Sequence, residues 1–319
     1  MRRQAVLLVL PLLFGVGCAA TGGEPAGGPA DGPGGRAEAF DKRATEVAEA
    51  WRPGPDWRTG YVPLQGPTVL PGDPRFTSET EAAFRAGWYR AQIPIPSAGV
   101  GDGEIRFPDG RSTVPLVSAA EAYRQLDQGD PPPCPGRPKQ PGLPSPGGPT
   151  VEPGPDGWST SSSPTACLSL TVTGVTLGAV PVRTSRGEAQ VPAWLFAVDE
   201  LATPVARLAV APTAVAPVPE PTAPAMPMAD GLVAAQDLVA VDGVRLTVRL
   251  GVGACDTGIT PLVRERPDVV VVGGEVTRAS GVCPDVLKFE PVDLTLAAPL
   301  GARPVLDAVT GAPLSIAAR

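Results

Sequence analysis

The chain has 319 residues, and 42 prolines with 38 glycines make about a quarter of it backbone punctuators. Because 43% of the residues are apolar, enough remains to build a core, so Pro and Gly must be gathered into linkers. The net charge is −7 and no histidine is present, which excludes Ser-His-Asp and Cys-His hydrolases, His-ligated zinc sites and H-E-x-x-H proteases.

Arg2 and Arg3 precede an apolar run of 13 residues at 5–17, AVLLVLPLLFGVG. That run is too short for a bilayer with a hydrocarbon core of roughly 30 Å and suits the h-region of an export signal. It closes on Gly15-Val16-Gly17-Cys18, which resembles the lipobox of bacterial lipoproteins, with Gly15 where that family usually has leucine. The resemblance implies that Cys18 is lipidated and becomes the mature N-terminus; the alternative is an ordinary cleaved signal or an uncleaved anchor. Residues 18–35 then read as a flexible tether with a reach of ~20–25 Å. Loss of residues 1–17 removes two arginines and no acids, so −7 becomes −9. With only three lysines (Lys42, Lys139 and Lys288), no electrostatic footprint for nucleic acid is expected.

Setting Cys18 aside leaves four cysteines, Cys134, Cys167, Cys255 and Cys283. An even number in an exported chain predicts two disulfides. Three pairings are open; Cys134–Cys167 with Cys255–Cys283 is preferred because each pair brackets one segment. A metal site would need C-x-x-C spacing or histidines, and the sequence has neither.

Phe40, Ala44, Val47 and Trp51 recur at three- and four-residue spacing and predict a helix over 36–52, stopped by Pro53. Ser78 with Glu81, and Ser118 with Glu121, read as capping boxes opening two further helices. Between them, strands at 104–107 and 112–116 flank the turn Pro108-Asp109-Gly110. Residues 131–165 hold 12 prolines and six glycines and read as an extended linker.

From 166 to 211 the pattern becomes strand-like, with a hairpin connection at Thr184-Ser185-Arg186-Gly187-Glu188 and with Pro181 and Pro192 placing their strands at sheet edges or strand starts. Six prolines mark a second linker over 212–230. Beyond it come short β runs, with a hairpin turn at Val241-Asp242-Gly243-Val244, that predict a small β-sandwich. The run Pro299-Leu300-Gly301-x-Arg303-x-Val305-x-Asp307, following Cys255 and Cys283, resembles the C-terminal segment of uncharacterised secreted lipoproteins of actinobacteria. That resemblance implies no activity, ligand or catalytic residue.

Three groups of residues could carry chemistry. Asp256-Thr257-Gly258 resembles the D-T-G of aspartic proteases, but those enzymes pair two aspartates and this chain has one copy, so a turn beside a disulfide is the simpler reading. Arg183, Arg186 and Arg207 near Trp194 could take an anionic or glycan ligand; otherwise Trp194 and Phe196 are core residues and the arginines solvated tips. Arg303 and Asp307 read as a local ion pair. The fold class expected is α+β, a mixed helix and strand region at 36–211 followed by a mainly β part at 231–319. The function expected is that of a membrane-anchored extracytoplasmic lipoprotein, a binding or structural module for an envelope protein or glycan, with no cofactor; the alternative is a carboxylate-based hydrolase of cell-wall glycan.

Overall fold

A computed structural model describes residues 33–131, 167–223 and 229–317. The expected signal at 1–17, most of the tether with Cys18, Cys134, nearly all of the 131–165 linker and residues 224–228 lie outside the described residues. The architecture is α+β, with the β content heaviest toward the C-terminus.

Helix α1 (Pro33–Ala50) buries the stripe its spacing predicts: Phe40, Ala44 and Val47 are buried, as is Trp51 just past its last residue. Its last carbonyl, on Ala50, accepts from the Thr222 hydroxyl at 2.5 Å, filling one of the positions a helix end leaves open. Thr222 belongs to the Pro-rich stretch read as a linker, and residues 212–223 lie against the molecule, with the Ala216 N–H donating to the Tyr61 carbonyl at 2.9 Å. The one-turn helix α2 (Pro55–Thr59) buries Trp57 edge-on against Trp51, with ring centroids 5.2 Å apart.

After the short strand β1 (Thr68–Val69), α3 (Ser78–Ala86) is capped by Thr77, one residue before the expected cap Ser78. Thr77 is extended (φ −87°, ψ 168°) and shares the reciprocal bonds with Thr80, so Ser78 is already helical. Strand β2 (Tyr89–Ala91) follows, then the hairpin of β3 (Asp102–Phe107) and β4 (Gly110–Pro115) around the predicted turn. Helix α4 (Ala119–Leu126) is capped by the Ser118 hydroxyl, which accepts from the Glu121 N–H at 3.2 Å. The Glu121 carboxylate is engaged by Arg124 and Gln125 and does not reach back to complete the box.

The long hairpin of β5 (Leu170–Thr184) and β6 (Gly187–Val198) turns at the predicted place, and β7 (Val205–Leu208) adds to it. In this seven-stranded sheet β5 runs along one side of β6, while the other side takes β3 near its start and β7 near its end. Pro192 falls between Gln190, which faces β3, and Ala193, which faces β7. A residue with no N–H is tolerated inside a strand where the neighbour changes, so Pro192 marks neither an edge nor a start. The two faces separate by parity. Ala189, Val191 and Ala193 join Ile105, Phe107 and Val182 on one side; Trp194, Phe196 and Val198 meet α3 and α4 on the other.

The C-terminal part comprises β8 (Leu232–Val233), β9 (Ala235–Asp242), β10 (Arg245–Gly253), β11 (Thr257–Glu265), β12 (Val270–Thr277), β13 (Leu287–Thr295) and β14 (Val305–Asp307). One sheet has the order β13-β10-β9; the other has β11-β12-β14, with β8 also on β12 and β14 parallel to it. Leu246, Val248, Leu250 and Val252 of β10 face Val270, Val272 and Val276 of β12 across a common core, which makes this a small sandwich. The opposite face of β12 offers Val271, with Val269 just before it, and α1 covers that face with Phe40, Ala44 and Val47. The helix at the head of the chain is thus a third layer on the C-terminal sheet. Full burial of a side chain such as Phe40 or Val47 is worth ~1.5–3 kcal/mol.

Two adjacent glycines let the three layers close. A Cβ on Gly273 would stand 3.3 Å from the Phe40 ring, and one on Gly274 would collide with Leu250. Facing opposite ways along β12, they give the helix and the second sheet room to approach.

Candidate functional site

The β5–β6 hairpin carries two of the three arginines singled out from sequence, and neither is a solvated tip. Arg183 is 8% exposed; its Nη1 donates to the Gly301 carbonyl at 2.5 Å and its Nη2 to the Arg303 carbonyl at 2.9 Å. Burial lowers its pKa to about 10. Arg186 lies over the Phe107 ring, 3.8 Å from its centroid, and grips Asp109 at 2.7 Å. The hairpin tip packs on the loop before β14 instead of projecting into solvent, which is why the expectation fails here.

The Pro299–Asp307 motif resolves into structural roles. Leu300 is core, Gly301 takes a left-handed φ of 56° and Val305 pairs with Val270. The Arg303 side chain donates to Glu265 at 3.0 Å and to the carbonyls of Ala298, Pro299, Leu300 and Arg266. It does not pair with Asp307. Arg303 precedes the strand, at a turn where alternation does not apply, and Asp307 points into the core. There its carboxylate accepts from the N–H groups of Ala235 and Thr310 and from the Thr310 hydroxyl. Asp256 likewise serves a turn: it accepts from the Gly253 N–H and from Arg278, each at 2.7 Å. Cys255 and Cys283 are joined beside it, with Cα atoms 6.1 Å apart, and Cys167 is also disulfide-bonded.

Arg207, the third arginine, lies in a different setting. Across β6, β7 and β1, Trp194, Arg207 and Thr68 stand in one cross-strand row on the face that carries α3 and α4. Trp194 is buried and its indole N–H donates to the Val117 carbonyl at 3.0 Å. Arg207 lines a cleft of about 400 Å³ whose other walls come from α3, α4 and the C-terminal part, including Phe84, Gln125, Val239 and Ile316. Its Nη1 donates to the Thr68 hydroxyl at 2.9 Å and its Nη2 to the Gln125 side-chain oxygen at 3.2 Å. Both partners are neutral, its Nε has no partner among the described residues, and burial holds its pKa below the usual value. Tyr89 lines the same cleft; it is 2% exposed, and its hydroxyl has no hydrogen-bond partner among the described residues. Burial pushes that phenol well above its ordinary pKa.

A second, wider opening of about 750 Å³ lies between Trp51, Arg52, Trp57 and the hairpin tip. Its two carboxylates are Asp109, held by Arg186, and Asp268, 3.9 Å from Arg266. Comparison with family models, curated proteins and solved structures finds no match. What the clefts can do therefore rests on their chemistry. Glu104 and Asp109 are kept ionised by Arg106 and Arg186, with pKa values below the carboxylate norm, whereas a glycosidase acid needs its pKa raised. Asp307 is raised, but it sits in the core on three donors. Among the described residues no cluster of acidic or cysteine side chains is arranged to hold a metal, and no helix is long and apolar enough to cross a membrane.

Of the residues around Arg207, the sequence points to Arg207 and Trp194 alone. Thr68, Tyr89 and Gln125 arrive from three other elements, and no spacing in the chain announces their convergence.

Proposed function

We propose that this is an extracytoplasmic lipoprotein, held at the outer face of the cytoplasmic membrane through Cys18, whose folded part is a binding module and not a hydrolase. The observation that carries the binding part is the cleft at Arg207: a half-buried cation whose hydrogen-bond partners among the described residues, Thr68 and Gln125, are neutral, with apolar walls from both parts of the chain. Sites of a few hundred Å³ between structural units, mostly apolar with a few convergent polar groups, are where small ligands bind. The run 5–17 ending at Cys18 supports the anchor. The partner is an envelope protein or glycan, with the membrane contacted through acyl chains and nucleic acid left out by the acidic charge.

Two measurements test this. Cys18→Ser should abolish lipid labelling and move the protein out of the membrane fraction; retention of label would refute the anchor. Cross-linking on intact cells, followed by mass spectrometry, should recover a specific envelope partner; the same background as an unrelated exported protein would refute the binding role.

A further inference from the structure

We propose that the cleft at Arg207 binds a small carboxylate-bearing molecule with an apolar tail, its carboxylate received by the Arg207 guanidinium. This rests on the reading of the cleft as the binding site and is independent of the anchor. A guanidinium has five N–H donors, and Arg207 spends two of them, on Thr68 and Gln125. Among the described residues it has no ion pair, and none of those lining the cleft carries a carboxylate. A half-buried charge left uncompensated is costly, and an anion that supplies the missing countercharge recovers that cost on binding.

The site is built for one negative charge. Arg85, the other cation among the described lining residues, pairs with Glu81 at 2.7 Å, so among those residues a dianionic phosphate would find one cation without an ion pair. A planar carboxylate matches the guanidinium fork. Leu70, Phe84, Leu126, Val239 and Ile316 supply the apolar wall that a tail would cover. The Tyr89 hydroxyl is buried in this same lining, a donor without a partner among the described residues.

The experiment uses the full mature chain and three probes: hexanoate, hexanol and inorganic phosphate, at equal ionic strength. Hexanoate should raise the thermal midpoint saturably, while hexanol and phosphate should not. Arg207→Gln should weaken hexanoate at least tenfold, the loss expected of a hydrogen-bonded charge. Val239→Glu tests the same point at a partly exposed wall position, where folding is tolerant: a carboxylate facing Arg207 should also cost at least tenfold. Tyr89→Phe should fold as well as the parent and bind hexanoate severalfold more weakly. Absence of protection at about 10 mM hexanoate, or full protection of both charge variants, would overturn the site. Equal protection by phosphate would overturn the carboxylate assignment. These results are read on purified protein, so they stand apart from the outcome of Cys18→Ser and of cross-linking.

Discussion

The Arg183 guanidinium donates from Nη2 to the main-chain carbonyl of Arg303 at 2.9 Å, 120 residues further along the chain. Its Nη1 reaches Gly301 in the same loop, and Gln65 accepts from its backbone N–H at 2.8 Å. One side chain thereby ties the seven-stranded sheet to the loop that opens β14. Replacing Arg183 with Met keeps the stem and removes the donors, leaving two carbonyls unpaired. A hydrogen bond from a charged donor is worth about 1.5–3 kcal/mol, and because Gly301 is exposed and Arg303 half-buried, water recovers part of it at each carbonyl, so the loss should be about 2–4 kcal/mol. Urea denaturation of parent and variant checks this, and a loss below about 0.5 kcal/mol would mean that water replaces the guanidinium.

That contact also shows which parts of the fold can be read from sequence. The α1 stripe, the Pro108-Asp109-Gly110 turn and the 184–188 hairpin are local patterns with local causes, and the structure has them where expected. What Arg183, Arg186 and Arg303 touch depends on segments 38 to 120 residues apart, or on turns that break strand parity, and no local pattern encodes it. The same holds for the cleft: Arg207 is visible beside Trp194, while Tyr89 and Gln125 meet it only through the sheet and α4. The paired glycines of β12 were a legible signal of a close approach on both faces, since Gly in a strand interior marks such sites.

Gly274→Ala should be destabilising although alanine is otherwise the better residue in a folded segment. The added methyl would collide with Leu250 and press on Val233, both buried. Overpacking of this kind costs roughly 1–3 kcal/mol. Leu250→Val in the same chain should return part of the loss, because it frees space on the colliding side. Additive losses in the double variant, measured by denaturation, would show that the two positions do not compete.

Cys255 and Cys283 are 28 residues apart, and their bond closes a loop containing β11 and β12. In the chain-entropy account, that constraint on the unfolded state is worth about 3–4 kcal/mol. The double replacement Cys255→Ser with Cys283→Ser should lose about that much while keeping the native near-UV circular dichroism. The Asp256 turn survives in this variant, since its bonds to Gly253 and Arg278 do not need the sulfurs. A variant with an unchanged unfolding midpoint would refute the stapling role.

Asp307 makes stability depend on pH in a direction opposite to that of a surface ion pair. Its burial raises the carboxyl pKa more than the donors from Thr310 and Ala235 lower it. In the folded chain it therefore holds its proton at pH values where the unfolded chain, near 3.8, has released it. The folded state binds more protons across that window, so the contribution of Asp307 is fully present below the unfolded pKa and is lost as pH rises through the folded one. Asp307→Asn removes the titration and turns an amide N–H₂ toward one of the donors, at a cost of about 1–3 kcal/mol. Because the parent gains from Asp307 on acidification and the variant does not, the gap between them should widen from about pH 7 to pH 4. Taking the difference cancels the other carboxylates, including Glu104 and Asp109, whose lowered pKa values act in the opposite sense. Urea midpoints for both chains at four pH values check this, and a gap that narrows on acidification would show that the three donors keep the buried carboxylate ionised.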